Sequence, residues 1–128
     1  MKTNTDLSRR ERQILDLIYR LGRATAQDVQ SNLHDAPTYT TVRGLLRILE
    51  AKGHIRHEDD EGRYVYSPIV PKKRAAKSAI QHVVSTFFDG SPSEALAAFL
   101  GGEKALNERE LERLATLVDE AKRKERSR

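Results

Sequence analysis

The 128-residue chain has no cysteine and no tryptophan, and only 5% of it is aromatic. The missing cysteine excludes disulfides, thiolate metal sites and thiol catalysis together, and suits a reducing compartment. Long hydrophobic runs are missing too: no stretch approaches the roughly 18 apolar residues that span a bilayer, and polar Met1 to Asp6 does not read as a bacterial secretion signal. A soluble, cytoplasmic chain without membrane insertion is the expectation. With 38% apolar and 33% charged residues, the core must be small and the helices two-faced, which argues against a large catalytic cleft. The length fits one domain, or two small units folding together, and is too short for a barrel enzyme or a full dinucleotide-binding fold. No Gly-rich phosphate loop and no nucleophile–base constellation is present, so an enzyme is the least supported class and no catalytic residue or cofactor is assigned. His34, His54, His57 and His82 are scattered without an i,i+4 pair, which places them at ordinary surface positions and assigns no metal.

Charge is abundant: 23 Lys and Arg against 19 Asp and Glu, a net +4, with an isoelectric point near 9.5. Residues 1–74 hold 14 basic and 10 acidic side chains, and residues 75–128 hold nine of each. The whole basic excess therefore belongs to the N-terminal part, a mild bias toward a polyanionic partner.

Local signals divide the chain. Ser8-Arg-Arg-Glu11 reads as a capping box opening a first helix that ends at Gly22, with Ile14, Leu15, Ile18 and Leu21 as its apolar stripe. Thr25 and Asp28 open a short second helix with Ala26, Val29 and Leu33 inward, broken by Asp35-Ala36-Pro37. Thr38 opens a third, ending at Lys52-Gly53. Alternation then replaces the helical period, with Ile55, His57 and Asp59 on one side and, across Glu61-Gly62, Tyr64 and Tyr66 opposite Val65, which is a β-hairpin with a charged tip. After Pro68 and Pro71, Lys72-Lys73-Arg74 starts a fourth helix. Ser91-Pro92-Ser93-Glu94 caps a fifth and Asn107 with Glu110 a sixth, which frays into the basic tail Lys122 to Arg128.

The class expected is mainly α with a small β-hairpin: a winged helix-turn-helix over residues 1–71, then a helical dimerisation region over 72–128. In the third helix Val42, Leu45, Leu46 and Leu49 share the inward face, while Thr40, Arg43, Gly44 and Arg47 face outward with no carboxylate before Glu50. Such a face suits a DNA major groove, where hydroxyls and a forked cation meet base edges. Tyr39 and Thr41 near the helix start would lie beside phosphates, and Thr38, which opens the helix, is counted with them among the DNA-binding candidates. Gly44 costs roughly 1 kcal/mol against alanine in mid-helix, which close approach to DNA would offset. Positive charge on Arg9, Arg10 and Arg12 opposes the helix dipole and points to a phosphate. Arg56 and Arg63 bracket the hairpin within reach of a flanking phosphate, and Arg63 is counted among the DNA-binding candidates, but Glu58-Asp59-Asp60-Glu61 argues against a deep minor-groove wing. Ile80, Val83, Val84, Phe87, Leu96, Phe99, Leu111, Leu114 and Val118 are candidates for a core shared between two chains, because small units are marginal alone. The alternative is that they pack back on their own winged helix.

Leu7-Ser8 through Ile18, Tyr39-Thr40-Thr41-Val42 with Leu46, Leu49, Lys52 and Gly53, and the closing Tyr66-Ser67-Pro68 together resemble the penicillinase-repressor family, which includes the methicillin-resistance repressor. The match covers about residues 7–70 well and the remainder by architecture. The resemblance implies a homodimeric repressor on double-stranded operator DNA, released when a membrane-bound sensor metalloprotease pathway triggers cleavage in the C-terminal region. The family's scissile Asn-Phe pair is absent around Ala97 to Gly102, where Ala98-Phe99 is the nearest match, so no cleavage site is assigned. The Cys-x-Cys pair of the copper-responsive branch is excluded by composition. A rival from another class is a winged helix that docks a protein, supported by the acidic hairpin tip.

Overall fold

A computed structural model describes residues 6–102 and 106–128. The element order is α1 (Arg9–Leu21), α2 (Ala26–Asn32), α3 (Tyr39–Ala51), β1 (Ile55–Asp60), β2 (Arg63–Pro68), α4 (Lys72–Phe87), α5 (Pro92–Leu100) and α6 (Glu108–Arg126). Three helices followed by an antiparallel hairpin make a winged helix-turn-helix. The chain forms two compact units, one through Ala79 and the other Ile80–Arg128. Their boundary falls inside α4, eight residues beyond the division at residue 71 that local signals mark.

Helices α1, α2 and α3 each start on a side-chain cap. Ser8 Oγ accepts from the Glu11 amide at 3.2 Å, and Thr38 Oγ1 from the Thr41 amide at 3.2 Å. Thr25 and Asp28 close a reciprocal capping box, at 3.1 and 3.0 Å. Glu11 departs from the box expected at Ser8: its carboxylate accepts from the Ser8 hydroxyl and from Lys52. Wholly buried Ile14, Ile18, Val29, Val42, Leu46, Leu49 and Ile55 form the centre of the core. Each such burial stabilises by about 1.5–3 kcal/mol before entropy is charged. On α1 the buried arc is wider than a single stripe, since Leu17 is buried while Leu21, at the end of the helix before Gly22, is exposed. Helices on two sides of α1 cover more of it than a surface stripe would need.

The hairpin pairs Ile55 with Pro68, His57 with Tyr66, Asp59 with Tyr64 and Asp60 with Arg63. Its two-residue loop has φ of 53° at Glu61 and 82° at Gly62, the two positive values of a type I′ turn, whose twist matches paired strands. Asp59 Oδ1 accepts the Gly62 amide at 3.0 Å and steadies that loop. Alternation puts Ile55, His57, Asp59, Tyr64 and Tyr66 on the inward face and Arg56, Glu58, Asp60, Arg63 and Val65 on the outward face. Ala24 bridges Tyr66 through both backbone groups, 3.0 and 2.7 Å, anchoring the hairpin base to the segment after α1.

The second unit contains the rest of α4 with α5 and α6. Ser91 caps α5, with Pro92 at its first position, and Asn107 caps α6. Instead of fraying after Lys122, α6 continues to Arg126. Arg123, Lys124 and Arg126 occupy its last turn, where cations complement the helix dipole. No described residue of α4, α5 or α6 is buried. No described helix is long and apolar enough to cross a membrane.

Candidate nucleic-acid interface

The site is built on α3. Val42, Leu46 and Leu49 are fully buried and fix which way the helix faces; Leu45, expected with them, is half-buried on the flank. At 100° per residue the opposite face carries Thr40, Gly44 and Ala51 at its centre, with Arg47 beside them. Tyr39, Thr40, Thr41, Arg43 and Arg47 are all exposed. Thr38 is committed to the fold, since its hydroxyl caps the helix and also lies 3.0 Å from Thr41 Oγ1. Among the described residues neither Arg43 nor Arg47 has a hydrogen-bonding or ion-pair partner.

A Cβ added at Gly44 would meet nothing within 4 Å. The fold therefore does not require glycine here, and its lower helix propensity is uncompensated inside the chain.

The hairpin closes one side of this face. His57 Nδ1 lies 2.7 and 2.8 Å from the two Glu50 carboxylate oxygens, and its ring stacks on Tyr64 at 4.2 Å between centroids, 22° from parallel. Tyr66 adds an edge contact to Tyr64 at 6.5 Å. Burial pushes the Tyr66 phenol above its ordinary value; the Glu50 carboxylate acts in the same direction and the Arg43 guanidinium opposes it. Arg43 thus lies on the hairpin side of α3. The wing presents Tyr64 on its inward face, whereas Arg63 projects from the other face at the acidic tip.

The first-turn arginines divide. Arg9 is exposed and has no partner among the described residues. Arg10 donates to Asp35 O at 3.3 Å and Gln13 Oε1 at 3.2 Å, so it braces the segment between α2 and α3. Arg12 lies 3.8 Å from Asp16. The chain thus carries Thr40, Arg43, Gly44 and Arg47 on the outward side of α3, with Tyr39 and Thr41 exposed on its two flanks, whereas Arg9 and Arg10 lie on α1 and Arg63 on β2.

One histidine departs from the surface position expected of it, and a second is held there by specific partners. His54 is buried, with Nε2 3.2 Å from Asp6 Oδ1, because the turn at Gly53 returns the chain to the core just before Ile55. His57 stays at the surface but is held by Glu50 and Tyr64. The one signal for it in the sequence was its alternation with inward Ile55. No three His, Asp or Glu side chains converge on a metal position among the described residues.

The nine apolar candidates of the second unit are largely open to solvent in the single chain: Ile80 is 66% exposed, Phe87 73% and Phe99 63%, while Val84 and Leu114 are half-buried.

A family model described as penicillinase repressor matches residues 7–120. Among solved structures the chain is similar to Bordetella bronchiseptica BpsR, studied for regulation of its DNA binding by 6-hydroxynicotinic acid, with 19% identity, 92% of this chain and 77% of that chain covered, and a TM-score of 0.50. It is also similar to a transcriptional regulator from Clostridium thermocellum, with 18% identity, 68% and 98% covered, and a TM-score of 0.40. No curated protein matches the chain.

Proposed function

The chain belongs to the penicillinase repressor family, and on that premise we propose that it is a cytoplasmic, homodimeric repressor whose α3 reads the major groove of a palindromic operator. The observation that carries this reading is the outward face of α3: two arginines without a hydrogen-bonding or ion-pair partner among the described residues, exposed hydroxyls and a bare glycine, with no carboxylate before Glu50. Arg43 and Arg47 can each fork onto guanine, Thr40 can exchange a hydrogen bond with a base edge, and Tyr39, Thr41 and Arg9 serve the flanking phosphates. Thr38 acts by capping the helix whose amides face the backbone. Arg10 and Arg63 would serve outlying phosphates, Arg10 with part of its guanidinium already engaged by the Asp35 carbonyl.

Dimerisation through the apolar faces of α4, α5 and α6 would set two reading helices about one DNA turn, roughly 34 Å, apart. Repression then follows from occupancy of the promoter, with no catalytic step. The release step that fits the family is cleavage in the C-terminal region downstream of a membrane-bound sensor metalloprotease; no scissile pair is assigned.

The test is selection of duplexes from a random-sequence library by the full chain, followed by binding across a salt series. An enriched dyad and a steep loss of affinity with salt support the reading, since each neutralised phosphate releases counterions. A second reading, a protein-docking winged helix, draws on Glu58, Asp59, Asp60 and Glu61 at the wing tip. No enriched duplex and a flat salt response would favour it.

A further inference from the structure

We infer that Ile48, together with the open surface over Gly44, forms an apolar subsite that takes the 5-methyl group of a thymine in the operator. The inference rests on the reading that α3 enters the major groove, and it names a base feature that the groove must present.

Ile48 is 43% exposed, whereas Val42, Leu46 and Leu49 on the same helix are fully buried. A lone exposed isoleucine is ordinary on a protein surface. Position makes this one informative. It lies one helical turn beyond Gly44, about 6 Å along the axis, on the flank of the outward face away from the hairpin. The glycine contributes no side chain, and a Cβ there would meet nothing within 4 Å. One turn further on the same side, exposed Ala51 contributes only a methyl. At i+4, Lys52 turns its ammonium away to Glu11 and the Asp6 carbonyl, and Ile48 keeps 43% of its surface open. Its β-branched side chain is stiff at χ1, so its methyl groups are held in place at little entropic cost.

What surrounds this strip identifies its occupant. Arg43 and Arg47 border it on the hairpin side, with no hydrogen-bonding or ion-pair partner among the described residues, and the exposed face has no carboxylate from Thr38 to Leu49. A surface that is apolar in the middle, cationic at its edge and free of negative charge complements a polyanion bearing an apolar group. In the major groove only thymine has one. Arg43 on the wing side and Ile48 on the other would thus read different base pairs of one half-site.

The experiment uses the full chain and the duplex that it enriches from a random-sequence library. Each thymine of that duplex is replaced in turn by deoxyuridine, which removes the methyl group and leaves the hydrogen-bonding edge unchanged. The expected result is a loss of about fourfold in affinity at one thymine per half-site, the value of burying one methyl group. Ile48→Ala should bind the thymine and deoxyuridine duplexes equally, and Ile48→Val should retain part of the difference. Thermal unfolding should be nearly unchanged in both variants, since the side chain is exposed. Equal binding of every deoxyuridine duplex by the unmodified protein overturns the inference, as does an undiminished deoxyuridine penalty in Ile48→Ala; either leaves the DNA-binding reading standing. Failure to enrich any duplex would overturn that reading and this one together.

Discussion

Lys52 Nζ lies 2.6 Å from Glu11 Oε1, which ties the C-terminal cap of α3 to the first turn of α1. The same ammonium donates to the Asp6 carbonyl at 2.6 Å, and the Ser8 hydroxyl donates to Glu11 Oε2 at 2.8 Å. One buried carboxylate and one half-buried cation therefore help to set the angle at which α3 leaves the core. That angle aims the outward face.

The Lys52 and Ser8 hydrogen bonds hold the Glu11 carboxyl below the ordinary value of 4.5, against the opposing effect of burial. A lowered folded-state value means stabilisation that is complete above the ordinary value and is lost as pH falls through the lower one. Glu11→Gln should cost about 1–2 kcal/mol at neutral pH. The gap to the unmodified protein should close below about pH 4.5. Denaturant unfolding between pH 3 and 7 measures this; a gap independent of pH would remove the ion pair from the account.

Gly44→Ala should have effects of opposite sign on stability and binding. The added methyl has open space and a better helix former replaces glycine, so the fold gains up to about 1 kcal/mol. Duplex binding should weaken, because the methyl stands where the groove floor must approach. Melting temperature and fluorescence anisotropy on the selected duplex read the two effects separately. A stabilised variant with unchanged affinity would show that α3 does not bring position 44 close to DNA.

Arg43→Ala should lose about 1–3 kcal/mol of binding and relax base preference at one position of the half-site. Arg9→Ala should instead weaken all duplexes alike and reduce the salt slope by about one unit, as expected for a phosphate contact. Competition with single-base variants across a salt series separates the two. The same profile for both variants would contradict the division of roles.

Phe87→Glu, at a side chain 73% exposed in the single chain, should convert dimers to monomers if α4 contributes to a shared core, since a buried unpaired charge is strongly unfavourable. Light scattering after gel filtration gives the mass directly. The first unit should keep its helical content, while affinity for the dyad falls toward that for a single half-site. An unchanged mass would move the association surface away from this end of α4.

Much of the fold was legible because the informative signals are short-range. Thr25 with Asp28, Thr38 with Thr41, and Glu61-Gly62 each act within three or four residues, so the chain alone specifies where helices start and where the hairpin turns. The outward residues of α3 followed from the helical period set by Val42, Leu46 and Leu49. Less visible were His57, held by a glutamate seven residues away on another element, and His54, buried by the turn that precedes it. Leu17 also escaped the stripe, because how much of α1 is covered depends on how many partners surround it.

By itself the sequence determined the element order, the caps, the carboxylate-free face of α3 and a composition without thiols or a membrane-spanning run. Only the tertiary structure decided that Glu11 turns to Lys52, 41 residues on, that Tyr66 pairs with Ala24, and that the hairpin turns Tyr64 and His57 toward Glu50 while Arg63 faces away. The physical reason is the same in each case. Backbone period and capping are settled among neighbours in the chain, whereas the partner of a buried charge or a strand edge depends on packing angles that no local window contains.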